Sequence, residues 1–70
     1  MIMRYNVKSS AIRTVGYNTD DNTLMLTFHS GPRAYSYGPV PMRVAREMVA
    51  APSVGRYFHK NIKGKYEIYE

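Results

Sequence analysis

Between two clusters of turn formers the chain alternates without a slip: Leu24, Leu26 and Phe28 fall on one side of the run, and Thr23, Met25 and Thr27 on the other. A period of two is the mark of a pleated strand with one buried face, and a helix cannot hold it. The flanking segments Asn18-Thr19-Asp20-Asp21-Asn22 and His29-Ser30-Gly31-Pro32 are dense in residues that reverse the chain. On one side, residues 11–17 are rich in strand formers; on the other, residues 33–38 return with Tyr35 and Tyr37 two apart. Three strands in this order form an antiparallel meander. Ile12 and Val15 lie three apart rather than two, so a bulge, or a twist eased by Gly16, is expected to turn both toward the core. Tyr35 and Tyr37 share one face of their strand, where they form either a stacking platform or part of a core.

After Pro39-Val40-Pro41 the period changes. Proline holds φ near its helical value but has no N–H to donate, so Pro41 suits a helix start. Val44, Ala45, Met48, Val49 and Ala51 then fall on one side of a helical projection, with Arg43, Arg46 and Glu47 opposite. Pro52 ends that helix. Ser53 is a good N-cap for a second, whose apolar stripe is Val54, Phe58 and Ile62. Residues 64–70 read equally as an added strand or a docked, extended tail. The expected fold is therefore α+β: one domain over residues 1–70, a three-stranded antiparallel β-meander followed by two short helices.

Seventy residues bury only about 60% of the surface the unfolded chain exposes, so the core must be simple and a partner subunit is a natural source of extra stability. With no cysteine, disulfides, thiolate nucleophiles and cysteine-bound zinc are excluded, and a reducing, cytoplasmic setting is expected. The first residues lack the apolar run of a signal peptide, and no stretch is long enough to span a bilayer, so a soluble protein is expected. The net charge of +5 is unevenly spread. Residues 42–65 hold Arg43, Arg46, Arg56, Lys60, Lys63 and Lys65 against Glu47 alone. That asymmetry favours an anionic partner.

Catalytic constellations are not evident. Asp20 and Asp21 sit side by side in a turn, where they bond local backbone, and His29 and His59 lack a third metal ligand. No catalytic residue, metal or cofactor is expected. The better candidate is the start of the second helix, where unpaired backbone amides at a positive dipole end attract anions. Ser53 adds a hydroxyl, Gly55 opens close approach, and Arg56 supplies a planar fork that matches phosphate. Lys60 and Lys63 extend the charge. The competing reading makes Ser53 a simple cap and Gly55 a packing residue. Tyr35 and Tyr37 are the stacking candidates, with Arg13, Arg33 and His59 as accessories, although so small a core should claim at least one ring.

Taken in order, Ser9-Ser10, Ile12, Val15-Gly16-Tyr17-Asn18, Leu24, Phe28, Gly31, Tyr35-x-Tyr37, Val40-Pro41, Ala51, Ser53-x-Gly55-x-Tyr57-Phe58 and Ile62-Lys63-x-x-Tyr66 resemble the KTSC domain. That family is named for its occurrence at the C-terminus of some lysyl-tRNA synthetases, and it also occurs as small stand-alone proteins of bacteria and phages. The resemblance implies a β-meander followed by helices and a role in binding RNA, and it does not imply catalysis. Two positions depart from the pattern. Pro52 stands where a polar or acidic residue is usual, and His59 where asparagine often follows the Tyr-Phe pair.

The leading expectation is a non-catalytic module that binds phosphate-bearing ligands, RNA or single-stranded nucleic acid first. A second is a phage-type sponge that sequesters a small cyclic or modified nucleotide, completed by a homodimer. A third is a protein-interaction module whose basic face meets an acidic host protein.

Overall fold

The structure, a computed structural model, describes residues 1–68. Its elements are β1 (Ile2–Tyr5), β2 (Ile12–Asn18), β3 (Thr23–Phe28), β4 (Ala34–Gly38), α1 (Met42–Ala50), α2 (Val54–Asn61) and β5 (Glu67–Ile68). The strands form one antiparallel sheet in sequence order. The expected meander is its centre, β2 to β4. The expectation of three strands is corrected at both edges. β1 adds on β2, with Tyr5 opposite Val15 and Met3 opposite Tyr17. β5 adds on β4, with Ile68 opposite Tyr37, so the C-terminal segment is a strand as far as Ile68.

A register shift between Ile12 and Thr14 is the expected irregularity in β2. It lets Ile12, Val15 and Tyr17 all turn inward, where each is at most 2% exposed. Across the sheet the inner face carries the rows Met3–Tyr17–Leu24–Tyr37 and Tyr5–Val15–Leu26–Tyr35. The outer face carries Arg4, Gly16, Met25 and Ser36 in one row, and Thr14, Thr27 and Ala34 in the next, where the Thr14 and Thr27 hydroxyls bond each other. Both helices lie on the inner face. α1 contributes Val44, Ala45 and Met48, and α2 contributes Val54 and Phe58, followed by Ile62. Burying one such large side chain stabilises by about 1.5–3 kcal/mol, a sizeable share of what a domain this small commands.

Two local devices set the geometry around this core. Asn22 adopts φ 59°, a conformation that asparagine tolerates better than most residues. Its carbonyl accepts the Val40 N–H at 2.8 Å, and its side-chain oxygen lies 3.0 Å from the buried Tyr17 hydroxyl, which also bonds the Val40 carbonyl. The β2–β3 turn is thereby tied to the segment that launches α1, where Pro41 serves as the N-cap and Met42 opens the helix. At the other end the Ile62 and Lys63 amides both bond the Phe58 carbonyl. Gly64 then takes φ +81°, which a side chain would strain, and turns the chain back toward β4.

Candidate functional site

The alternation of β4 sends Tyr35 and Tyr37 to the covered face of the sheet, where Tyr37 is 8% exposed and Tyr35 half-buried. Both rings therefore belong to the core and its margin rather than to an open platform. Phe28, the last inward residue of β3, meets Tyr35 edge to face with ring centres 5.6 Å apart. Phe58 of α2 meets Phe28 at 5.5 Å and Tyr37 at 5.4 Å, again with rings steeply inclined. Such contacts place the positive edge of one ring against the negative face of another, and they fix where α2 docks.

This aromatic cluster does not close over. A cleft of about 370 Å³ remains between the β3–β4 turn and α2, lined by Phe28, Ser30, Gly31, Arg33, Tyr35, Tyr37, Phe58, His59 and Lys63. Its base is aromatic and its rim cationic. The Arg33 guanidinium lies over the Tyr35 ring, 5.8 Å from its centre, while the His59 ring leans on Phe58 at 5.4 Å. Among the described residues no aspartate or glutamate lines the cleft. The hydroxyls of Tyr35 and Tyr37 have no hydrogen-bond partner among the described residues, and neither is sealed from solvent. Burial, and then the neighbouring Tyr35, push the Tyr37 hydroxyl above its ordinary pKa, so at neutral pH it is an uncharged donor and acceptor.

The other expected residues lie elsewhere. Ser53 caps α2, its Oγ accepting the Arg56 N–H at 3.4 Å. Gly55 is buried, and a Cβ there would sit 3.4 Å from the Ala11 Cβ and 3.7 Å from the Ser9 Oγ. That oxygen accepts the N–H groups of Ala11 and Ile12 at 3.2 and 3.1 Å. The space that Gly55 leaves is thus filled by the turn entering β2, and in that direction an anion finds no room. Ser53, Arg56 and Lys60 line a second hollow of about 350 Å³ with Ala51, Pro52, Tyr57 and Asn61. Tyr57 closes it on α1, its hydroxyl donating to the Glu47 carboxylate at 2.8 Å, while Arg43 stands 3.5 Å from that carboxylate's other oxygen.

The structure therefore divides the expected set. Tyr35, Tyr37, Arg33, His59 and Lys63 meet at one cleft, and Ser53, Arg56 and Lys60 at a hollow that shares no lining residue with it. Arg13 lies exposed in β2 and lines neither. Sequence reasoning missed Phe28, Ser30, Gly31 and Phe58 as part of the site. The available signal was the position of Phe28 at the end of the alternating run, directly before the turn. Of the histidines, His29 is tied to local backbone, its Nε2 donating to the Ser9 carbonyl at 3.0 Å. No helix among the described residues is long and apolar enough to cross a membrane.

Comparison with known proteins places this geometry among relatives. The KTSC domain model matches residues 8–66. The lysine–tRNA ligase of Trichormus variabilis is 43% identical over 60 residues, which are 86% of this chain and 10% of that protein. The chain thus spans about a tenth of the ligase's length. A protein of Stutzerimonas stutzeri is 33% identical over 66 residues, 94% of this chain and 92% of that one. Among solved structures, the crystal structure of a KTSC domain protein from Yersinia pestis superposes with a TM-score of 0.90 at 34% identity, covering 100% of this chain and 97% of that one.

Proposed function

The chain belongs to the KTSC domain family, and from that premise we propose that it is a binding module for single-stranded nucleic acid, RNA first, centred on the cleft between the β3–β4 turn and α2. One observation carries this reading: the half-buried Tyr35 ring, set against Phe28, lines the same cleft as Lys63 and His59. Aromatic side chains take the faces of unpaired bases and cations take the backbone, and both are required to hold a single strand. Base stacking contributes about 1–3 kcal/mol per base, and a cleft of about 370 Å³ has room for a splayed base but not for a duplex. Arg56 and Lys60 on α2 extend the positive surface for neighbouring phosphates. The name of the ligase relatives supports RNA as the first ligand to test, since those proteins act on a tRNA.

The test is titration of the purified protein with single-stranded RNA and DNA oligonucleotides at about 50 mM salt, repeated at rising salt. Binding is expected, with the logarithm of the affinity falling by about 0.7 per phosphate neutralised, hence a slope near −2 if Arg56, Lys60 and Lys63 each take one. Absence of binding to every oligonucleotide at the lowest salt overturns the reading. The size of the cleft favours one further ligand of the same chemistry, a small free nucleotide, and a nucleoside monophosphate that binds where oligonucleotides do not would establish that instead.

A further inference from the structure

Resting on the reading above, we infer that the cleft is a terminal-nucleotide subsite: it takes the last base of a strand, with that nucleotide's phosphomonoester at Lys63 and His59. Three features point the same way. The first is capacity. At about 370 Å³ the cleft falls near the lower end of the roughly 300–1,000 Å³ typical of small-molecule sites, room for one nucleotide and not for a continuing stack. An internal nucleotide placed there must lead two backbone arms out of the cleft, and a terminal one only a single arm.

The second feature is a polar group that the protein leaves open to solvent. Tyr37 is 8% exposed, yet its hydroxyl bonds nothing among the described residues and its ring lines the cleft. Among the described residues no side-chain polar atom sealed from solvent lacks a partner, so this hydroxyl keeps contact with water, whose place a ligand group can take. The edge of a nucleobase supplies both a donor and an acceptor to it, and the inclined rings of Phe28 and Phe58 form the apolar walls beside it.

The third feature is charge. His59 and Lys63 are four residues apart, lie on the same rim and are both exposed. A phosphomonoester carries close to two negative charges at neutral pH with three free oxygens, whereas an internal diester carries one. The Lys63 ammonium, with the His59 ring beside it as a further hydrogen-bonding group, matches the monoester better than an internal diester.

The opposite wall offers a clean probe. A Cβ added at Gly31 would meet no atom within 4 Å, and its φ is not in the left-handed region, so Gly31→Leu is accommodated by the fold and adds bulk at a residue that lines the cleft. Calorimetric titration would use one single-stranded RNA sequence in four forms: 5′-phosphorylated, 3′-phosphorylated, hydroxyl at both ends, and circular. One of the two phosphorylated forms is expected to bind about tenfold more tightly than the circle, the size of effect a charge-assisted phosphate contact gives. Gly31→Leu, and independently the exposed change Lys63→Gln, should each shrink that preference to about twofold or less. A circle that binds as tightly as both phosphorylated forms overturns the terminal subsite while leaving single-strand binding in place. So does a preference that survives both substitutions. Failure of all four forms to bind overturns the subsite and the proposed function together.

Discussion

Replacing Tyr17 by phenylalanine tests the packing account at its tightest point. The Tyr17 ring is fully buried, and its single hydroxyl proton serves two acceptors, the Asn22 side-chain oxygen at 3.0 Å and the Val40 carbonyl. Phenylalanine keeps the ring, so almost no apolar burial is lost. What changes is the Val40 carbonyl, which belongs to a residue 0% exposed and loses this partner, whereas Asn22 is exposed and turns to water. Leaving one buried acceptor unpaired costs about 1–3 kcal/mol, and the relief at Asn22 places the expectation at about 1–2 kcal/mol. For a domain of this size that is a fall in Tm of about 5–15 °C. The assay is thermal unfolding followed by circular dichroism at neutral and alkaline pH. Burial, with Asp21 and Tyr5 adding to it, holds the Tyr17 hydroxyl above its ordinary pKa, so the folded state keeps its proton where the unfolded state has begun to lose it. The contribution is present in full below about pH 10 and is lost as pH rises through the folded value. Tyr37 and Tyr57 shift in the same direction, so the wild-type protein should lose stability above about pH 10, and Tyr17→Phe should lose it less steeply. A Tm within about 2 °C of wild type at neutral pH, or a gap that widens with alkalinity, would refute the reasoning.

Gly55→Ala should fold normally, because the new methyl meets Ala11 at 3.4 Å while the helix gains up to about 1 kcal/mol of propensity; Gly55→Leu should overpack the same turn and cost about 1–3 kcal/mol in chemical denaturation. Ser53→Ala removes a long capping bond of 3.4 Å and should cost about 0.5–1 kcal/mol by the same measurement. Arg56→Ala and Lys60→Ala should each lower the salt slope of oligonucleotide binding by about 0.7 and leave Tm within about 3 °C of wild type, since both side chains are exposed.

The centre of the fold was legible because one period governs each segment. Leu24, Leu26 and Phe28 announce a one-faced strand, and the spacing of Val44, Ala45 and Met48 announces a helix. The edges were not. Ile2–Tyr5 shows no alternation of apolar and polar residues, and half its face is open to solvent, so its pairing with β2 follows from the sheet already present rather than from its own pattern. Glu67–Ile68 is too short and too exposed to carry a strand signal. At the site, the tyrosine pair was recognisable by its spacing, but that both rings face the helices depends on register, which local sequence sets only weakly. Ser53, Gly55 and Arg56 looked like one anion site because they adjoin in sequence. On a helix their neighbours along the chain point in different directions, so Gly55 turns to the Ser9–Ala11 turn and Arg56 to solvent. The partners of Tyr37 at the cleft, Phe28, Phe58 and Lys63, come from distant segments that only the folded chain brings together.

The cleft is the proposed place where a single strand is held. The most direct measurement is a backbone amide NMR titration of the isotopically labelled protein with a short single-stranded RNA. The largest shifts are expected at Gly31, Arg33, Tyr35, Tyr37, Phe58, His59 and Lys63, with smaller ones at Arg56 and Lys60. Saturable binding whose largest shifts fall instead on the outer sheet face, at Arg4, Gly16, Met25 and Ser36, would contradict it.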